Sequence, residues 1–316
     1  MAEDYPRNVL ELEQRFATDQ LCREYLYQLR WPKGFHCPRC AGSDAWDASR
    51  GRFVCRSCRH QTSVTAGTIF QGTQKPLTIW FRGIWHVVSQ KNGASAVNIQ
   101  ETLGLGSYVT AWTWLHKLRR AMVRPGRDQL QGRVEVDETY VGGEEHEVGG
   151  RKTETKSLVV VAAEEDGAGI GRIRLGRVPD ATRRSLHGFI RSSISLSSTV
   201  HTDGFPAYRG LEMLGYSHDV TNLIRQKDKD AATKLLPRVH RVASLLKRWL
   251  LGTHQGAVSP RHLDYYLDEF TFRFNRRKSH SRGKLFYRLL QQAMEVEPAP
   301  YKSIVGGADN TARHKM

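Results

Sequence analysis

Four of the five cysteines in this 316-residue chain are written C-x2-C-x14-C-x2-C, with Cys37 and Cys40 in CPRC and Cys55 and Cys58 in CRSC. A C-x-x-C turn aims two sulfurs at one point, and two such knuckles complete a tetrahedron around zinc. The gap between them holds Gly42, Gly51 and the β-prone run Gly51-Arg-Phe-Val-Cys55, which predicts a zinc ribbon. A pair of disulfides would need an oxidising compartment, and a thioredoxin-like redox site needs one C-x-x-C inside a βαβ pattern. Bound iron is the minor alternative to zinc. Four thiolates leave no open coordination position, so the metal is expected to be structural, folding a module with too little apolar core of its own. Cys22 lies in a helical stretch upstream and is expected as a packed free thiol. Arg39, Arg50, Arg52, Arg56 and Arg59 decorate the module, for DNA contact or for ordinary solubility.

The chain carries 48 Lys and Arg against 32 Asp and Glu, a net charge of +16. Such an excess favours a polyanionic partner, most often nucleic acid. It is unevenly placed. Residues 225–288 hold 16 Lys and Arg against 5 Asp and Glu, a net of +11, while residues 135–166 hold 10 Asp and Glu against 3 Lys and Arg, a net of −7. Segregation of this kind suggests a carboxylate cluster beside a cationic surface. The longest clean apolar run, Leu158 to Ala163, is far short of the roughly 20 residues a bilayer span needs. The charged N-terminus lacks the apolar stretch of a secretory leader. A soluble, intracellular, basic protein with no membrane partner is expected.

Periodicity divides the chain into an N-terminal helical segment (1–30), the ribbon (31–70), a helical region (75–124), a larger domain (130–292) and a tail (293–316). In the helical region Pro76 to Gln90 reads as a helix, with Leu77, Trp80, Phe81, Ile84, Trp85 and Val88 at i, i+3, i+4 spacing. A short helix over Ala94–Thr102, a Gly-containing turn at Leu103–Ser107 and a helix from Tyr108 to Met122 then give a helix-turn-helix pattern. Its second helix would offer Lys117, Arg119 and Arg120 to phosphates or a groove. The larger domain reads as three strands, a helix, two strands and a helix. The first strand contains Asp137, the fourth ends at Asp203, and the last helix starts at Pro237. This order is an α/β fold, a mixed sheet with helices on its faces.

EVDETYVGG, then VHTDGFPAYRGL, then HRVASLLKRWLLGTHQG with YLDEFTFRFNRR, resembles an insertion-sequence transposase of the DDE type, in the ISXO-like group that carries an N-terminal zinc ribbon. The resemblance runs from the first knuckle to about residue 292. It implies a ribonuclease-H-like catalytic domain, divalent Mg²⁺ or Mn²⁺, double-stranded DNA as the partner, and movement of a DNA element. Asp137 matches the first family aspartate and Asp203 the second. The third family position is usually Glu. Aligning Ser244-Leu-Leu-Lys247 with the family's Ser-x-x-Lys puts His240 there and makes Lys247 the basic position. Asp264, Asp268 and Glu269 are the alternative carboxylates.

Phosphodiester transfer needs an activated oxygen and a stabilised leaving oxygen, which two metal ions can supply. Asp137 would bridge them, with Asp203 and His240 holding one each. Imidazole can ligate Mn²⁺ or Mg²⁺, although Mg²⁺ prefers oxygen. Seven residues make about two helical turns, so Lys247 shares a face with His240 and would contact DNA. Glu135 and Glu138 are expected to serve solvation or local support. Arg248, Arg273, Arg276 and Arg277 are expected on phosphates, with Phe272 and Phe274 packing. His254 and Gln255 would touch DNA or cap the helix. The expected function is binding of terminal inverted repeats followed by strand cleavage and transfer, in a homodimer or larger assembly. An inactive transposase-derived regulator and a nuclease that does not join strands are the alternatives.

Overall fold

A computed structural model describes residues 3–124, 126–142, 156–221, 235–256 and 258–306. They fall into two units: residues 3–124 with 279–306, and residues 126–278.

The first unit opens with helices α1 (Val9–Arg15) and α2 (Asp19–Arg30), whose N-caps Asn8 and Thr18 accept from the backbone N–H groups of Glu11 and Leu21. The ribbon follows as an antiparallel sheet in the order β1 (Ala45–Ala48), β2 (Arg52–Cys55), β3 (Gln61–Ser63). Helix α3 (Leu77–Ser89) is apolar on most of its surface and correspondingly buried. Helices α4 (Ala96–Leu103) and α5 (Tyr108–Ala121) are joined by a tight turn. Gly104 at φ 61° supplies the left-handed conformation that closes α4. The expected pair of helices and its turn are therefore present, within a residue or two at each end.

One expectation about domain extent changes here. The sequence predicts a larger domain that extends to residue 292, yet α9 (Arg282–Glu295) packs on α2, α3 and α5, and α10 (Tyr301–Gly306) touches α5. The physical reason is that α9 brings Leu285, Phe286, Leu289 and Leu290 as an apolar stripe. Phe286 completes an aromatic cluster with Phe16, Phe81 and Trp85. Gly283 makes room for the chain's start: a Cβ there would sit 1.8 Å from the Pro6 carbonyl oxygen. Glu3 is then clasped by Lys284 and Arg288.

The second unit is built on a five-stranded sheet in the order β6-β5-β4-β7-β8. The strands are β4 (Arg133–Val141), β5 (Ser157–Asp166), β6 (Gly169–Val178), β7 (Thr199–Thr202) and β8 (Ser217–Val220). Strands β4, β5 and β6 run antiparallel, and β7 and β8 add in parallel beside β4. Helix α6 (Arg183–Ser193) covers one face, where Val134, Val136, Val160 and Val200 meet Leu186 and Ile190. Helices α7 (Pro237–His254) and α8 (Leu263–Asn275) cover the other, where Val159, Val161 and Leu175 meet Val239, Val242, Leu246 and Phe270. This is the mixed α/β architecture that a ribonuclease-H-like domain requires. The sequence over Gly149–Lys156 reads as a flexible connection; apart from Lys156 it lies outside the described residues, as does the end of the tail.

Candidate active site and zinc centre

The two cysteine knuckles are near copies of each other. In each, the residue four after the first cysteine turns left-handed (Ala41 at φ 61°, Arg59 at φ 58°) and donates its N–H to that cysteine's carbonyl, at 2.9 and 3.0 Å. The backbone thus folds around the sulfurs. Cys37 Sγ and Cys58 Sγ lie 3.7 Å apart, and Cys40 Sγ and Cys55 Sγ 3.6 Å. Tetrahedral zinc with Zn–S bonds of about 2.3 Å separates its sulfurs by about 3.8 Å, so the four positions fit the ion. All four are free thiols, which rules out the disulfide alternative. The Cys58 backbone N–H, working against partial desolvation, pulls the Cys55 thiol down to about 6, which favours the thiolate a metal needs. Cys22 is buried and desolvation pushes it up to about 12, as suits a packed, unreactive thiol.

The second cluster is set by strand parity. Side chains alternate along β4, so Val134 and Val136 face α6 while Glu135 and Asp137 face α7. Glu135 registers beside His201 of the parallel strand β7, and Asp203 follows His201 by two residues, just past the strand end. Asp137, midway along β4, and Asp203, just past the end of β7, each follow this registered pair by two residues and so leave the sheet on one side. His240, in the first turn of α7, brings Nε2 to 3.8 Å from Asp137 Oδ2. That nitrogen is buried and makes no hydrogen bond. Desolvation pushes the imidazole pKa down, against the opposing charges of Glu135 and Asp203, which favours the neutral ring that a metal ligand needs. Two ligands held about 2.1 Å from one ion lie roughly 3–4 Å apart, so the pair fits a divalent cation. Asp203 is not drawn into a common cluster within 4.8 Å of both; its Oδ1 instead accepts the Phe205 N–H at 2.9 Å and shapes its own turn.

Another set of ligand atoms, from Glu135, Glu165 and His201, does lie within 4.8 Å. Its carboxylates already hold cations. Arg238 reaches Glu135 at 2.8 Å and Glu165 at 3.3 Å, and Arg133 reaches Glu165 at 3.0 Å. Guanidinium groups in those positions would repel a metal ion, so this set is an ion-pair network. Glu138 points the other way, accepting the hydroxyl of the buried Tyr208 at 2.8 Å. Local support is thus the role both glutamates have, and the sequence signal for Glu135 was its two-residue spacing from Asp137. Arg238 and Tyr208 carried no such signal.

Residues 129–275 match the family described as an ISXO2-like transposase domain, and residues 17–61 match a transposase zinc-ribbon domain. The two together span more than half of the chain. The chain belongs to the ISXO2-like transposase group. It is also similar to an uncharacterized protein in transposable element ISH50 of Halobacterium salinarum, 27% identical over 287 residues, which covers 82% of this chain and 91% of that protein.

Of the residues expected on DNA, some face solvent and others make contacts within the fold. Lys247 and Arg248 are exposed on α7. The Lys247 side chain is open to solvent, yet desolvation of its ammonium, followed by the nearby Lys156 charge, pushes its pKa down. Arg119 is 1% exposed, and Lys117 and Arg120 are half-buried, because α5 turns that side toward the core of its unit. Arg273 is engaged by the buried Glu269 at 2.8 Å. Arg276 stacks over Phe272, and Arg277 stacks over Phe274 while donating to the carbonyls of Ile170 and Gly171. The FRFNRR stretch is the end of helix α8 and the turn after it, and its arginines make these contacts within the fold. Glu269 is thereby committed to Arg273. Asp264 reaches Arg177 at 3.4 Å. Gln255 closes α7 in a left-handed conformation, and His254 packs on Trp249 and Tyr266.

Proposed function

We propose that this transposase binds the terminal inverted repeats of an insertion sequence and catalyses metal-dependent strand cleavage followed by strand transfer into target DNA. The observation that carries the reading is the His240 nitrogen, buried without a hydrogen bond and aimed at Asp137 from an adjacent element. Asp137 and His240 would hold the divalent cation, Mg²⁺ or Mn²⁺. Asp203 would join them when its turn hydrogen bond is exchanged for a metal bond. The cation would supply neutralisation of phosphate charge and activation of the attacking oxygen. The chain's own part is orientation: Asp137 presents a carboxylate from the middle of β4 and Asp203 one from the turn after β7, and α7 presents an imidazole. Lys247, two turns along α7, would steady the DNA near the scissile phosphate, with Arg248 beside it. The zinc ribbon and the α4–α5 pair would recognise the repeats. Synapsis of two ends calls for a dimer or larger assembly, working at the nucleoid in the cytoplasm.

The test is a strand-transfer reaction with labelled element ends, target DNA and Mn²⁺ or Mg²⁺. Joined product that disappears in Asp137→Ala and Asp203→Ala is the expected result. Joining that survives either change refutes the site, and joining untouched by His240→Ala removes that ligand alone. Cleavage without joining would identify a nuclease, and DNA binding with neither reaction a regulator.

A further inference from the structure

Helix α7 starts without a cap of its own. Its N-cap residue, Leu236, has no polar side chain, and Pro237 has no N–H to donate. The next two backbone donors, the N–H groups of Arg238 and Val239, are both accepted by Glu135 Oε2, at 2.7 and 3.0 Å. Glu135 Oε1 takes the Arg238 guanidinium at 2.8 Å. That guanidinium also donates to the carbonyls of Gly167 and Gly169, at 2.8 and 2.9 Å, in the turn between β5 and β6. A carboxylate in the middle of the sheet thus does what a capping side chain does at the end of an ordinary helix. Negative charge at this end is favoured by the helix dipole, and hydrogen bonds to a charged acceptor are the stronger kind.

The clasp stands next to both cation ligands. His240 follows Val239 directly, so its backbone is fixed one residue from the last clasped N–H. Asp137 follows Glu135 by two residues on the same face of β4. One side chain therefore references the third ligand to the strand that carries the first. Glu135 itself is 1% exposed and both its oxygens are taken, so it is no ligand.

We propose that Glu135 is the positioning residue of the divalent-cation site, setting the separation of His240 from Asp137 and so the affinity for the cation. This rests on the metal-site reading given above. Groups that orient a metal ligand change metal affinity by about 10- to 100-fold when altered.

The experiment measures Mn²⁺ binding to the full-length, zinc-loaded chain without DNA, from the electron paramagnetic resonance signal of free Mn²⁺. Glu135→Gln keeps the shape and loses the charge, and is expected to weaken Mn²⁺ by about 10-fold or more. Asn275→Ala, which loosens the far edge of the same sheet, serves as the stability control and is expected to bind like the wild type. Wild-type affinity in Glu135→Gln would overturn the proposal. So would equal weakening in both variants, since affinity would then follow stability alone. If Glu135→Gln does not fold, Arg238→Gln carries the test with the same two outcomes. A wild-type chain that binds no Mn²⁺ would overturn the parent reading as well, which separates the two failures.

Discussion

Asn275 gives the sharpest test of how the FRFNRR segment works. Strand β6 lies at the edge of the sheet, where backbone groups have no neighbouring strand to pair with. The Asn275 side chain closes part of that edge: its Oδ1 accepts the Ile173 N–H at 2.8 Å, and its amide donates to the Ile173 carbonyl at 3.1 Å. Ile173 is fully buried, so in Asn275→Ala its N–H would lose its partner without gaining full access to water, while its carbonyl keeps the Arg174 guanidinium at 3.0 Å. Each unsatisfied buried group costs about 1–3 kcal/mol. Asn275 is only half-buried and some water will enter, so the lower half applies, about 1–2 kcal/mol for the Ile173 N–H. Asn275→Asp keeps the acceptor but sets a carboxylate oxygen against the Ile173 carbonyl, and should cost at least as much. Urea unfolding read by circular dichroism gives the total, and hydrogen exchange at the Ile173 amide shows that the loss is local to β6. A loss under about 0.5 kcal/mol with unchanged exchange would refute the reasoning, because the edge would then not depend on this amide. It would also reopen the segment as a DNA-binding surface.

Cys55→Ser should abolish zinc retention and unfold the ribbon while leaving the five-stranded sheet intact; a zinc-release assay with hydrogen exchange over residues 37–63 checks this. Burial would raise the Glu164 carboxyl, but hydrogen bonds from Arg172 outweigh it and hold the pKa below its ordinary value. A lowered folded-state pKa contributes stability above the unfolded value, lost as pH falls through the folded one. Arg172→Met should therefore move acid unfolding to higher pH, which far-UV circular dichroism will show. Gly283→Ala should displace the N-terminal segment from α9, since the new methyl cannot coexist with the Pro6 carbonyl, and make residues near Pro6 more sensitive to limited proteolysis.

What was legible in the sequence is what local chemistry dictates. Metal binding fixes the spacing of the four cysteines, and the knuckle turns follow from it. Strand parity made Asp137 readable against Val134 and Val136, and Pro237 marked the start of α7 and so the register of His240 and Lys247. The C-terminal part was harder for a physical reason. Phe272 and Phe274 flank Arg273, and over so few residues that alternation resembles a strand, although Arg273 is satisfied by Glu269 one helical turn earlier. The partners of Asn275 and Arg277 lie about a hundred residues upstream, at Ile170, Gly171 and Ile173, where no local pattern reports them. Helix α9 was misassigned for the same reason. Its stripe fits an aromatic cluster supplied by the other end of the chain.

The charge segregation acquires a different meaning once these partners are known. Within residues 225–288, Arg238 holds Glu135 and Glu165, Arg273 holds Glu269, Lys278 holds Asp166, and Lys284 and Arg288 hold Glu3. Arg276 and Arg277 lie over phenylalanine rings. Four of these cations, Arg238, Lys278, Lys284 and Arg288, therefore balance carboxylates elsewhere in the chain, and three of those carboxylates, Glu135, Glu165 and Asp166, lie in the acidic stretch itself. The exposed cations Arg241, Lys247 and Arg248 remain on the solvent face of α7, the helix that also carries His240. A polyanion drawn to that face would be led along the helix toward the proposed metal ligands. The direction is set by one helix whose first turn is clasped by Glu135, so the cationic face and the imidazole are carried on a single rigid element.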